Sequence, residues 1–184
     1  YNKGEILKSF QYRNFIPPAG LAWDGKNIWI NYFATGGQTS LHEIDTASGQ
    51  IIKQFGTPYG IWDIDFDGEN LLLYGGAGGG GSWDILKLNP LNGSSAGIIE
   101  TPFFGGLANR GIACRDNEIW VVNWGAAVIA VIDKNGELLG AIDTNVLDDC
   151  GSCYDAGFHT CFMDDKFIIT KYSQVFIFQI AEIN

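Results

Sequence analysis

In this 184-residue sequence, two histidines and a few aspartates near the starts of predicted strands are the candidates for acid–base chemistry or metal binding. There are two histidines; His42 alternates with apolar residues on a predicted strand, which predicts an outward-facing surface position, and His159 stands near Asp155. Asp63, Asp65 and Asp155 lie at or near the starts of predicted strands, where oxygen ligands could hold Ca²⁺ and a histidine could act as a base or a ligand. Carboxylates at strand ends also bond to nearby backbone, and no histidine has a spaced partner. We therefore predict no catalytic residue and no cofactor, and keep Asp63, Asp155 and His159 as the candidates for a metal site.

The four cysteines, Cys114, Cys150, Cys153 and Cys161, are crowded into one third of the chain. An even number at such spacing favours two disulfides and an oxidising, extracellular setting, although the sequence does not choose among the three pairings. A zinc site would need a second close pair of cysteines, and a redox CxxC would need a βαβ pattern around residues 150–153. Disulfides are therefore the preferred interpretation.

Two further short motifs have structural explanations. Residues 76–81 satisfy GxGxxG, but the following residues, 83–88, alternate like a strand, whereas a dinucleotide site needs a helix there. We predict a flexible hairpin loop. Asn92 begins an Asn-Gly-Ser glycosylation sequon in a predicted turn, which is a surface location.

The elements that must position these residues form repeated units of short strands joined by hairpin turns. The units cover residues 20–55, 60–100, 110–142 and 157–184, and corresponding strands recur roughly every 40–50 residues, the period of propeller repeats. The first three units have four strands and the last has three. One such unit cannot bury both faces alone, so neighbouring units must stack, and arrays of this kind close into rings.

The segment Gly4-Glu5-Ile6-Leu7-Lys8-Ser9-Phe10 repeats the final strand of the first and third units, at 49–55 and 136–142. Because the last unit lacks such a strand, we expect residues 4–10 to complete it, either in the same chain or in a neighbouring one. With 46% apolar residues, 14% aromatic residues and 25 glycines, the sequence also favours many short strands and tight turns. We predict one all-β domain, a four-bladed β-propeller whose N-terminal strand completes the last blade.

The first two strands of the first unit carry the pattern Gly20-Leu21-Ala22-Trp23-Asp24-Gly25-Lys26-Asn27-Ile28-Trp29-Ile30. This pattern resembles the NHL, YVTN and gluconolactonase class of propeller repeats, and the likeness extends over nearly the whole chain. The resemblance implies the fold. It does not imply an activity, because members of that class range from enzymes to binding scaffolds and most have six or seven blades.

The formal net charge of −10, with eleven Lys and Arg spread along the chain, excludes a basic footprint for nucleic acid and disfavours anionic membranes. No apolar run is long enough to span a bilayer. We therefore predict a non-enzymatic, secreted structural or interaction module with a protein partner. That partner is either another protein or a second copy, joined into a filament by exchange of strand 4–10. The alternative is a metal-dependent hydrolase or lyase of the gluconolactonase-like class, with its site in the central channel.

Overall fold

The described part of the chain is built of antiparallel sheets. The computed structural model describes residues 9–10, 18–33, 39–57, 60–76, 84–102, 109–123, 128–143, 158–171 and 174–180. These residues form fifteen strands and no helix, so no membrane-spanning helix is found among them. The strands make four sheets arranged as a four-bladed β-propeller, which confirms the predicted fold class.

Each sheet is one blade, and its strands follow each other in chain order. The first blade consists of β1 (Pro18–Trp23), β2 (Ile28–Phe33), β3 (Thr39–Ile44) and β4 (Ile51–Thr57). The second consists of β5 (Gly60–Phe66), β6 (Leu71–Gly76), β7 (Ile85–Leu88) and β8 (Ser95–Ile99). The third consists of β9 (Asn109–Arg115), β10 (Glu118–Asn123), β11 (Val128–Asp133) and β12 (Leu138–Asp143). The fourth blade has β13 (Phe158–Met163), β14 (Lys166–Lys171) and β15 (Gln174–Gln179).

The hairpins between the first two strands of each blade follow from their turn residues. Asp24 Oδ1 accepts the amides of Lys26 and Asn27 at 2.9 and 2.7 Å, and Asp67 Oδ1 accepts the equivalent amides in the second blade. These aspartate-stabilised turns close four-residue loops. In the third and fourth blades, Asp116 and Asp164 adopt positive φ in two-residue turns instead, a conformation that Asp tolerates better than most residues.

The turn before the fourth, outer strand of a blade has the same structure in the first three blades, before β4, β8 and β12. The amides of Gly49, Gly93 and Gly136 donate to backbone carbonyls at the start of their turns, and all three glycines have positive φ. Glycine is the residue that adopts this conformation without a steric penalty. Each of these turns also follows a register shift between the third and fourth strands, so the bulge is part of the repeat.

The outer strand of one blade ends over the turn glycine of the next. The ring of Phe55, in β4, lies over Gly93 in the second blade, where an added Cβ would stand 2.6 Å from Phe55 Cδ1. The end of β8 covers Gly136 in the third blade in the same way. The ring of Phe10 covers Gly49 in the first blade. The contact therefore recurs at three turns.

The apolar core is divided into three clusters, one at each junction between consecutive blades. The cluster between the first two blades joins Ala22, Trp29 and Leu41 to Ile61, Ile64, Leu71, Leu73 and Leu88. The next joins Leu72, Tyr74, Ile85 and Ile99 to Ile112, Ile119, Val121, Ala130 and Ile132. The third is aromatic and joins Ala113, Trp120, Val122, Ile129 and Val131 to Phe167 and Ile169, with Phe162, Phe176 and Phe178 around them.

The packing of an aromatic ring on a turn glycine predicts that alanine substitutions at three glycines reduce stability to different degrees. Gly140 has ordinary φ and open space, Gly25 has positive φ and open space, and Gly93 has both positive φ and the Phe55 ring. We expect Gly140→Ala to be nearly neutral and Gly25→Ala to cost roughly 1–2 kcal/mol of unfolding free energy. We expect Gly93→Ala to cost a further amount of about 1–3 kcal/mol, because the added methyl group would overlap with the Phe55 ring. Equilibrium urea unfolding measures all three, and equal losses at Gly25 and Gly93 would show that Phe55 does not pack on the turn.

Candidate functional site

The axis of the propeller is lined by the first strand of each blade. β5 packs beside β1 and β9, and β13 packs beside β9. Equivalent positions on these strands can be identified from their partners on the second strands. One layer contains Gly20, Asp63, Gly111 and His159, which pair with Asn31, Tyr74, Val122 and Thr170. The next layer contains Ala22, Asp65, Ala113 and Cys161.

Small and large residues alternate around each layer. The first and third blades contribute glycine and alanine, and the second and fourth contribute the polar side chains. A Cβ at Gly20 would lie 2.5 Å from Asp63 Oδ1, and one at Gly111 would lie 2.8 Å from Thr160 Cγ2. The absence of a side chain at Gly20 therefore makes room for the Asp63 carboxylate.

Asp63 is the central residue of the cluster. Its buried carboxylate accepts the amide of Ile64 on Oδ1 at 3.0 Å and the amide of Ile112, from the third blade, on Oδ2 at 3.1 Å. His159 Nδ1, from the fourth blade, lies 4.0 Å from Asp63 Oδ1, which is the distance of an ion pair. One carboxylate thus contacts groups from all four blades. Burial raises the pKa of Asp63 to about 6 despite these partners.

Asp65 repeats the arrangement one layer along the axis. Its Oδ1 accepts the amide of Phe66 at 2.8 Å and its Oδ2 the amide of Cys114 at 2.6 Å. Burial raises the pKa of this carboxyl to about 6 as well. The two aspartates therefore satisfy inward-facing amides of the second and third blades, which no further strand pairs at the axis.

The reactive groups beside this pair have distinct properties. The Asp63 carboxylate raises the pKa of His159, whose side chain is 53% exposed and can exchange a proton with solvent. Burial, and then the carboxylates of Asp65 and Asp63, raise the pKa of the Cys161 thiol. Burial also raises the pKa of Cys114 well above its ordinary value. Because the reactive form of cysteine is the thiolate, these thiols are not activated nucleophiles.

The residues predicted from sequence are only partly brought together. Asp63 and His159 meet at the axis, whereas Asp155 lies outside the described residues. Among the residues that the structure describes, no group of three His, Cys, Asp or Glu side chains is placed to hold a metal ion. The surface position expected for His42 is wrong: the ring is buried, 2.8 Å from Ser40 Oγ and packed on Tyr32.

The cysteines, the sequon and the N-terminal strand can be placed in part. Cys114 and Cys161 both carry free thiols, and Cys150 and Cys153 lie outside the described residues. Two disulfides would require all four cysteines, so that prediction is wrong for Cys114 and Cys161, and only a bond between Cys150 and Cys153 stays a prediction. Asn92 is exposed in the turn before β8, where the Ser94 hydroxyl donates to its Oδ1 at 2.8 Å. Of strand 4–10, only Ser9 and Phe10 are described.

Sequence reasoning missed a second feature, a set of exposed apolar side chains on two sheet faces. One is the face of the first blade that is turned away from the second blade, and the other is the face of the fourth blade that is turned away from the third. Leu21 is 59% exposed, although its equivalents Ile64 and Ile112 are almost completely buried. Val175 and Ile177 are 62% and 60% exposed, although their third-blade equivalents, Ile129 and Val131, are buried. Trp23 and Met163 are exposed as well. We call Leu21 and Trp23 the first flank, and Met163, Val175 and Ile177 the fourth flank.

Comparisons with known proteins support the fold alone. No protein-family model matches the sequence, and no curated protein matches it. Among solved structures, the chain is similar to Myxococcus xanthus glutaminyl cyclase, with a TM-score of 0.65, 17% identity, and 85% of this chain and 68% of that chain covered.

Two further structures show the same likeness. For the computationally designed Ika4 protein the TM-score is 0.54 at 16% identity, covering 97% of this chain and 100% of that chain. For the Neurospora crassa Pan2 WD40 domain the TM-score is 0.56 at 10% identity, covering 94% of this chain and 52% of that chain. The fold is thus shared with an enzyme and with a WD40 domain, and no one propeller class is singled out.

The axial cluster makes the pH dependence of stability testable. Because the pKa of Asp63 is raised on folding, from 3.8 to about 6, its contribution to stability is complete below pH 4 and is lost as the pH rises through 6. The raised pKa of His159 acts in the same direction at higher pH. We expect Asp63→Asn to reduce the fall in unfolding free energy between pH 4.5 and 7.5 by about 2–3 kcal/mol.

Asp133→Asn is the matched control. Backbone amides, that of Glu137 foremost, lower the pKa of Asp133, so its contribution is lost only as the pH falls below 4. The control should therefore leave the slope between pH 4.5 and 7.5 unchanged. Denaturant titrations across that range measure both variants. An unchanged slope in Asp63→Asn would show that the folded protein does not disfavour ionisation of Asp63.

Proposed function

We propose that the chain is a non-enzymatic interaction module that binds a protein partner through the first and fourth flanks. The observation that supports this is the contrast between three packed blade junctions and two exposed apolar flanks built from equivalent positions. Exposed apolar patches of this kind mark interaction sites. The flanks are also complementary, because each packed junction joins the same two kinds of face.

Burial of these side chains against a partner is energetically favoured over their permanent exposure to water. A side chain such as Leu21 or Ile177 contributes roughly 1.5–3 kcal/mol when it moves from water to full burial. Several of them on facing flanks are enough to offset a substantial part of the entropy lost on association. The formal net charge of −10 adds solubility and disfavours nucleic acid and anionic membranes as the partner.

A second candidate is self-assembly, in which the partner is a second copy of this chain. Two observations favour it: in the described residues the fourth blade has three strands with β15 at its edge, and Phe10 lies beside the first blade. Strand 4–10 of one copy would pair with β15 of the next, head to tail. Light scattering of the intact chain and of a chain lacking residues 1–10 tests this. A single-chain mass at all concentrations contradicts it.

A third candidate is the channel enzyme, a metal-dependent hydrolase or lyase. The pairing of the solvent-facing His159 with the buried Asp63 favours it, because a carboxylate that orients a histidine is a recurring acid–base arrangement. Asp155 would have to add a further oxygen ligand for Ca²⁺ or another divalent cation. Metal analysis of the purified protein, and of His159→Ala, decides this candidate. A metal-free protein counts against it.

The flanks predict dye binding that depends on particular side chains. We expect 8-anilinonaphthalene-1-sulfonate to fluoresce on the native protein, and Leu21→Thr with Ile177→Thr to remove more than about half of that signal. Ile98→Thr is the matched control, since Ile98 is equally exposed but lies on the outer strand β8, away from both flanks. An equal loss in the control would locate the dye elsewhere and contradict the proposed surface.

We also propose that the protein is extracellular and contains at least one disulfide. The crowding of four cysteines supports this, and the free thiols of Cys114 and Cys161 single out Cys150 and Cys153 as the pair to examine. Alkylation of the denatured, unreduced protein, followed by peptide mass spectrometry, is expected to leave at least two cysteines unmodified. Four modified cysteines in protein from an oxidising compartment would contradict the proposal.

A further inference from the structure

Two metal-ligating side chains, His159 and Cys161, stand next to each other on the inner strand of the fourth blade. They are two residues apart on β13, so both side chains project from the same face of the sheet. That face is turned away from the third blade, because Phe162, on the opposite face, packs in the third apolar cluster. Cys161 is exposed and carries a free thiol, and the His159 side chain is 53% exposed. An ion in solution can therefore reach both side chains.

The Asp63 carboxylate determines which ring nitrogen of His159 is available. Nδ1 lies 4.0 Å from Asp63 Oδ1, so the carboxylate favours a proton on this nitrogen and leaves the lone pair of a neutral ring on Nε2. A histidine that binds a metal commonly directs its second ring nitrogen towards a carboxylate in this way. Asp63 itself is buried and accepts two backbone amides. It therefore acts behind the ring and not as a ligand.

The spacing of the two side chains fits one ion. Residues two apart on a strand are separated by about 6.7 Å. An ion between a thiolate and an imidazole, with bonds of roughly 2.3 and 2.0 Å, places the sulfur and the nitrogen about 4.3 Å apart. The two side chains reach this distance by turning towards each other. Met163 lies on the same face, but its distance of about 13 Å from His159 along the strand is too long for one ion to bind both.

The charge around the thiol favours a monovalent cation. Burial disfavours the thiolate of Cys161, and the carboxylates of Asp65 and Asp63 repel it, so the pKa of this thiol is raised. A monovalent metal ion that replaces the thiol proton leaves the charge of the site unchanged, and the carboxylates do not oppose that exchange. The S–H bond is replaced by a bond from sulfur to the metal, and the proton passes to solvent.

The ligand types select the kind of ion. A thiolate is a soft ligand and an imidazole suits copper, so the pair favours Cu(I). Structural Zn²⁺ takes four ligands and Ca²⁺ takes six to eight oxygens. Among the described residues, no group of three His, Cys, Asp or Glu side chains is placed to hold such an ion. Cu(I) has no such requirement, because two ligands in a line are enough for it.

We propose that Cys161 Sγ and His159 Nε2 bind one Cu(I) ion, with the Asp63 carboxylate orienting the imidazole. The site is open to solvent, which suits an ion that is taken up and passed on. The proposal depends neither on the two flanks nor on a divalent cation held by oxygen ligands in the channel. It can therefore fail without affecting the proposed function.

Anaerobic titration of the full chain against the Cu(I)–bicinchoninate complex measures binding. Every protein carries Cys150→Ser and Cys153→Ser, because that pair of cysteines is itself a soft ligand set. We expect one Cu(I) ion per chain. Cys161→Ala should weaken binding at least about 100-fold and His159→Ala at least about tenfold, since each removes one of two ligands.

Two control variants locate the ion. Cys114→Ala removes the other described free thiol, and Met163→Leu removes the thioether from the face that carries Cys161. Each should change the affinity by less than about twofold. X-ray absorption at the copper edge should show one nitrogen and one sulfur neighbour, at roughly 2.0 and 2.3 Å.

The other outcomes overturn the site. Failure to withdraw Cu(I) from bicinchoninate does so directly, and a loss of binding in Cys114→Ala places the ion elsewhere. A loss in Met163→Leu that is absent from His159→Ala overturns the imidazole ligand. If the serine substitutions abolish cooperative unfolding in urea, the intact chain with one equivalent of Cu(I) is measured by X-ray absorption. A nitrogen neighbour then supports the proposal, and sulfur neighbours alone overturn it.

Discussion

The Asp63 carboxylate links all four inner strands, and most of the axis follows from it. Inner strands have no further strand to pair with, so their inward-facing amides need another acceptor. Asp63 bonds the amide of Ile64 in its own blade and that of Ile112 in the next. Its burial costs solvation free energy, which is visible as the pKa of about 6. Glycine at position 20 makes room for the carboxylate, and His159, when it is protonated, supplies an opposing charge.

The fold was predictable because its signals are local and repeated. The Asp24 and Asp67 turns and the positive-φ glycines at 49, 93 and 136 can each be inferred from a few consecutive residues. The axial cluster could be predicted only in part. The position of Asp63 at a strand start marked it as a candidate, but its contact with His159 depends on how blades far apart in the chain curve towards one another. The prediction for His42 was wrong for a similar reason. Alternation indicates which residues of a strand lie on the same sheet face, but it does not indicate whether another part of the protein covers that face.

The flanks show why burial cannot be assigned from pattern alone. Leu21, Ile64 and Ile112 occupy equivalent positions in similar strands, so the repeat alone predicts the same environment for all three. Their exposure differs because Ile64 and Ile112 belong to the apolar clusters that join their blades to the preceding ones, whereas Leu21 belongs to no cluster of the described residues. What decides burial at these positions is the neighbouring sheet, a long-range property that the repeat does not encode.

His159 connects the axial cluster to the solvent. Its Nδ1 lies 4.0 Å from Asp63 Oδ1, and its side chain is 53% exposed. The Asp63 carboxylate favours the imidazolium and raises the pKa of His159, whereas partial burial of the ring acts in the opposite direction. Because the same carboxylate accepts amides of the second and third blades, the group that joins the blades at the axis also favours a positive charge on the inner strand of the fourth.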